Sequence, residues 1–89
     1  MSNRFRKRPV VVEAVRWMNR KIICPPGPDW FAEAEERGRI KLHGDRLSIE
    51  TPEGVMTANP GDWVIRGIAC ELYPCKSDIF ALTYEPAGE

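Results

Sequence analysis

The second half of the chain is interrupted by turn chemistry too often for anything longer than short strands. His43-Gly44-Asp45, Pro52-Glu53-Gly54 and Asn59-Pro60-Gly61-Asp62 each group residues that favour chain reversal. The last of these places proline second and glycine third, the type II pattern. Between the turns the hydrophobic period is two. Ile40 and Leu42 alternate with charges, Leu47, Ile49 and Thr51 alternate with Arg46, Ser48 and Glu50, and Val55 to Ala58 and Trp63-Val64-Ile65 follow. Such spacing predicts antiparallel pairing of short strands. Gly67 predicts a bulge or turn, and Glu71-Leu72-Tyr73 another short strand. Pro74 to Phe80 reads as a single helical turn with Ser77 as its N-cap, and Leu82-Thr83-Tyr84 as a last strand.

The first half reads differently. Pro9 to Trp17 is valine-rich and ends in an aromatic, which predicts a strand. Val11, Val15 and Trp17 share one face with Glu13, and Val10, Val12 and Ala14 share the other with Arg16. Both faces are largely apolar, as in a strand covered on both sides. Ile22-Ile23-Cys24 fits either a short strand or the lining under a loop. Pro25-Pro26-Gly27-Pro28 then stops any regular element. Asp29 to Arg37 is the one clear helix, with a proline at its start, Asp29 and Glu33 near its positive end and Gly38 as its stop. Trp30, Phe31 and Ala34 give it an apolar face, with Glu35 and Glu36 in solvent. The expected fold is α+β, a small antiparallel sheet or open barrel of about five strands with one packed helix. Residues 1–8 are expected to form a basic arm, residues 9–86 a single domain and residues 87–89 a tail.

Eighty-nine residues fit one small core, and 43% hydrophobic with 29% charged residues is the balance of a globular chain. No apolar run approaches the ~20 residues of a membrane helix, and no secretory signal is expected, because Arg4-Phe5-Arg6-Lys7-Arg8 leads into Pro9. Basic and acidic residues cancel overall but are segregated. Residues 1–24 hold seven basic groups against Glu13 alone, and residues 25–89 hold six against twelve acidic ones. Arg4, Arg6, Lys7 and Arg8 are the candidate nucleic-acid arm, although a solvated arm or one lying on the acidic body explains them more simply, so nucleic acid is not an expected partner. Cys24, Cys70 and Cys75 are an odd number without a CxxC pair, which predicts reduced thiols and a cytoplasmic setting. With the lone His43 they do not have zinc spacing, so neither metal nor cofactor is expected.

A further ordered series is Thr51-Pro52-Glu53-Gly54, Pro60-Gly61-Asp62-Trp63-Val64-Ile65-Arg66-Gly67, Glu71-Leu72-Tyr73-Pro74-Cys75-Lys76, Asp78-Ile79-Phe80 and Thr83-Tyr84-Glu85. With Arg6-Lys7-Arg8-Pro9-Val10, Glu13-Ala14 and Trp17 at the start, it resembles a family of small phage- and prophage-encoded proteins across nearly the whole chain. Two positions depart from that pattern: Cys70 stands where glycine is usual and Ser77 where proline is usual. The first suggests that a left-handed backbone is no longer needed there, or a slightly different bulge. The second suggests a capping hydroxyl. The resemblance implies a phage accessory protein in a bacterial cytoplasm and supplies no reaction.

Cys75 is the best nucleophile by residue type, since a helical turn and Lys76 would both lower its pKa. It lacks a placed base, and a small buried thiol is the simpler reading. Asp62 is explained by its turn, where its carboxylate can accept backbone N–H groups. Trp17, Trp30 and Trp63 read as core or interface anchors. The expected function is therefore a non-enzymatic binding module, in a host cell, for a host or phage macromolecule, with a homodimer as one form. The alternative is a small-ligand or nucleotide-binding module, or a minimal enzyme, with a pocket of Asp62, Arg66, Tyr73, Cys75 and Lys76 on two adjoining turns.

Overall fold

The computed structural model describes residues 3–4, 9–18, the backbone of 21–23, and 29–87. The expectations for Arg6, Lys7, Arg8, Cys24 and residues 25–28 lie outside the described residues. The described elements are β1 (Glu13–Met18), β2 (Lys21–Ile23), α1 (Asp29–Glu36), β3 (Ile40–His43), β4 (Arg46–Thr51), β5 (Gly54–Ala58), β6 (Trp63–Arg66), β7 (Leu72–Cys75) and α2 (Ser77–Thr83). The α+β class holds. The single sheet of about five strands with one helix does not. The described strands form a four-stranded sheet in the order β2-β1-β6-β7 and a three-stranded meander β3-β4-β5, with two helices.

The division into two sheets has a local cause. The Asn59–Asp62 turn closes with Asp62 N–H on the Asn59 carbonyl at 2.9 Å, and Gly61 takes φ +94° at its third position. That left-handed backbone suits glycine and fits the expected type II turn. The chain leaving it does not pair back on β5. Instead Trp17 N–H donates to the Asp62 carbonyl at 2.9 Å and β6 runs antiparallel to β1, with Val15 opposite Val64. β1 is thereby paired on both sides, by β2 and β6. Its start lies four residues later than the valine run suggested. Residues 9–12 are outside any strand, and Val10 and Val11 are exposed.

The two sheets share one core. Val15, Trp17, Val64 and Leu72 from the larger meet Ile40, Leu47, Ile49 and Ala58 from the smaller, and α1 adds Phe31 and Ala34. The Trp17 indole N–H donates to the Asp45 carbonyl at 2.8 Å, fastening the β3–β4 turn to β1. α1 ends where its stop signal falls, with Gly38 at φ +75°.

The end of the chain departs furthest from the sequence reading. Leu82 and Thr83 are helical, and the Tyr84 N–H closes α2 on the Phe80 carbonyl. Ser77 is the first residue of that helix, not its cap. Lys76 is the N-cap and makes no side-chain capping bond. Among the described residues, no helix is long and apolar enough to cross a membrane.

Candidate functional site

Alternation along β6 sends Val64 and Arg66 towards the shared core side and Trp63 and Ile65 to the other. On that outer side β1 contributes Ala14 and Arg16, and β7 contributes Tyr73 and Cys75. α2 crosses this face. Phe80 stacks on Trp63 with ring centroids 4.0 Å apart and planes at 4°, and Tyr84 stacks on Phe80 at 4.9 Å. Phe80 and Tyr84 are four apart, hence on one side of the helix.

Arg16 closes the other end of the stack. Its guanidinium carbon lies 6.0 Å from the Trp63 ring centroid, its Nε donates to the Gly61 carbonyl at 3.1 Å and its Nη2 to Ser77 Oγ at 3.2 Å. The Tyr84 and Tyr73 hydroxyls face each other at 3.5 Å. Burial pushes the Tyr73 phenol up to about 12, with the Tyr84 hydrogen bond adding to the shift.

Beside this stack runs an apolar groove of about 550 Å³, walled by Val10, Val12, Ala14, Trp63, Phe80 and Tyr84. Glu85 is the one charged side chain among its lining residues. Val11, 74% exposed, also lines the groove, and an adjoining depression shares Val10, Val11 and Tyr84 and adds Pro9 and Leu82, the last 89% exposed. No residue of α2 is fully buried.

The five residues expected to form a pocket are spread over the sheet. Asp62, Cys75 and Lys76 meet at the start of β6 and the end of β7, where Trp63 pairs with Cys75. Tyr73 lies midway along β7 on the α2 side. Arg66 is at the opposite end of β6 and on the other face, where it donates to Glu13 at 3.3 Å and to Cys70 Sγ at 3.0 Å.

Local chemistry explains Asp62 and Cys75. Asp62 Oδ2 accepts the Asn59 N–H at 2.9 Å, the turn role its sequence suggested. The Cys75 thiol is pushed up, first by burial and then by the carboxylates of Asp62 and Asp78. That reverses the expected activation by Lys76 and the helical turn, because burial disfavours the thiolate and carboxylates from the turn before β6 and from the first turn of α2 both repel it. His43 sits on the other sheet. Among the described residues, no three His, Cys, Asp or Glu side chains are grouped to hold a metal ion.

Cys70 also differs from expectation. Its φ is +64°, so the left-handed backbone is retained although a side chain stands there. The turn it closes bonds Cys70 N–H to the Gly67 carbonyl at 3.0 Å.

The sequence reading missed Phe80, Tyr84, Ile79 and Leu82 as a surface. The available signal was the i, i+4 spacing of Phe80 and Tyr84, hidden by ending the helix too early. Comparison with protein-family models, with curated proteins and with solved structures gives no match to this chain.

Proposed function

We propose that the protein is a non-enzymatic binding module, of the phage or prophage accessory kind that its motifs resemble, and that it holds an apolar segment of a partner protein on the α2 face. The observation that carries this reading is the groove beside the Trp63–Phe80–Tyr84 stack, with exposed Val11 in its wall and exposed Leu82 in the depression that adjoins it. Contiguous apolar surface of this kind marks association sites on small domains. The partner segment is apolar and carries a cation to meet Glu85, the one charge in the lining. The residues that carry the resemblance support the same face: Trp63, Phe80 and Tyr84 come from three separate motifs and stack there. The raised Cys75 thiol and the turn-bound Asp62 carboxylate give no reason to add a reaction.

Site-specific photocrosslinking in the bacterial host tests this reading. A crosslinker at Leu82 or Val11 should capture one shared protein, and one at Thr57 should not. Capture from Leu82 should disappear when Phe80→Asp is added. Equal capture from all three positions, or none from Leu82 and Val11, would overturn it.

A second reading has its own observation. The groove volume lies within the ~300–1,000 Å³ of small-molecule sites. Native mass spectrometry separates the two, since a retained small mass that Phe80→Asp abolishes favours a ligand over a protein segment.

A further inference from the structure

The meander has an outer face of different chemistry. Residues pointing away from the core are Lys41 and His43 on β3, Arg46, Ser48 and Glu50 on β4, and Val55 and Thr57 on β5. Arg39 joins them, its carbonyl accepting the Glu50 N–H at 2.9 Å. Two shallow depressions lie on this face. One is walled by Arg39, Lys41, His43, Ser48, Glu50 and Val55, the other by His43, Arg46, Ser48 and Thr57, so they meet at His43 and Ser48.

The charges there are unusual for this body. Residues 25–89 hold six basic groups against twelve acidic ones, yet three of the six, Arg39, Lys41 and Arg46, stand on this one face with Glu50 as its only acid. None of the three makes an ion pair or a side-chain hydrogen bond among the described residues. Arg66 and Arg16, by contrast, are both engaged. The acidic residues of α1 project from a helix packed on the core side of the meander.

We infer that the outer face of β3, β4 and β5 is a second binding surface, and that its ligand is the phosphate backbone of single-stranded nucleic acid. The polar groups in the two depressions are mainly donors: a guanidinium each from Arg39 and Arg46, an ammonium from Lys41, and the hydroxyls of Ser48 and Thr57, against the single carboxylate of Glu50 at one edge. Lys41 and His43 repeat along the strand at about 6.7 Å, with Ser48 and Arg46 about 5 Å across from them, so an extended polyanion meets a grid of donors. No helix is presented to enter a duplex groove, and a flat sheet suits a single strand. His43 is the one aromatic ring on this face, so recognition is of phosphate and blind to sequence. The site shares no lining residue with the groove on the α2 face.

Fluorescence anisotropy with a labelled single-stranded oligonucleotide at low salt tests it. Three phosphate contacts predict a slope of about −2 in log K against log salt. Lys41→Gln with Arg46→Gln should weaken binding at least tenfold and bring the slope near −0.7, because each lost contact removes about 0.7. The combined emission of Trp17, Trp30 and Trp63 reports whether that variant keeps its fold. Neutralising Arg4, Arg6, Lys7 and Arg8 to Gln should leave most of the binding, and Leu82→Glu should leave all of it. Absence of binding at low salt, loss through the arm variant instead of the sheet variant, or equal competition by polyglutamate would each overturn the assignment. Tighter binding of a duplex than of the single strand would also overturn it.

Discussion

On the outer face of β3, β4 and β5, Lys41, His43, Arg46 and Glu50 stand in solvent as ionisable or polar groups on an ordinary half-buried sheet. On the outer face of β1, β6 and β7, the equivalent positions are Ala14, Trp63, Ile65 and Tyr73, and a helix with no fully buried residue lies across them. The first face needs no apolar cover. The second is half closed: Ile65 is 0% exposed beneath α2, while Leu82 on the same helix is 89% exposed. Two sheets that share one core thus divide their outer surfaces between water and apolar cover. A chain gains little by leaving isoleucine and leucine on a seven-residue helix in water, so the α2 face is where association would contribute most.

Substitutions can break or sharpen that contrast. The largest effect belongs to the shared core. Ile49→Ala or Leu47→Ala, both essentially buried, should cost about 2–5 kcal/mol in urea unfolding. Leu82→Ala should fall within about 0.5 kcal/mol of the parent. A loss at Leu82 comparable to that at Ile49 would mean the α2 face is already covered, for example by a second copy of the chain.

Phe80→Ala comes next. It removes one half-buried ring together with its stacks on Trp63 and Tyr84 and should cost about 1–3 kcal/mol, below the core range. Hydrogen exchange should show protection lost over residues 77–83 and kept over 46–51. Uniform loss would make α2 part of one cooperative unit with the core and weaken the division between the faces.

Cys70→Gly should act in the opposite direction. A side chain at φ +64° costs about 1 kcal/mol, and glycine should recover most of it, as a higher urea midpoint at unchanged slope. Two weaker effects remain. The Tyr73 phenol titrates near 10 in the unfolded chain and about 12 in the folded one, so its stabilising contribution is complete below pH 10 and is lost as pH rises from 10 to 12. Tyr73→Phe should flatten that decline. Glu13→Gln, which breaks the surface pair with Arg66, should cost less than about 1 kcal/mol.

Much of this fold was legible because local chemistry agreed with the final structure. α1 has its first residue and its Gly38 stop where the sequence put them, and the alternation of Leu47 and Ile49 with Arg46, Ser48 and Glu50 appears unchanged in β4. What failed depended on partners distant in sequence. Leu82-Thr83-Tyr84 has strand propensity, but the Phe80–Tyr84 stack on Trp63 keeps the segment helical as far as Thr83. Val10 to Val12 has the same propensity and is left unpaired, because β6 begins only opposite Arg16 and ends opposite Glu13. The candidate pocket residues are separated by the same kind of distant pairing. Arg66 and Tyr73 both flank the β6–β7 turn, yet the pleat puts them on opposite faces, and the partner of Arg66, Glu13, is 53 residues away. Cys70 shows the reverse case, where the backbone kept the conformation that a glycine would have signalled.

The single bond from the Trp17 indole to the Asp45 carbonyl has a kinetic meaning. The meander is made of neighbours in sequence, so its loops are short and close at little entropic cost. β1 must find β6 some fifty residues later, and Trp17 can dock only on a β3–β4 turn that has already formed. Loop closure therefore predicts folding from the middle of the chain outward, with φ-values high at Leu47 and Ile49 in the meander and near zero at Trp17.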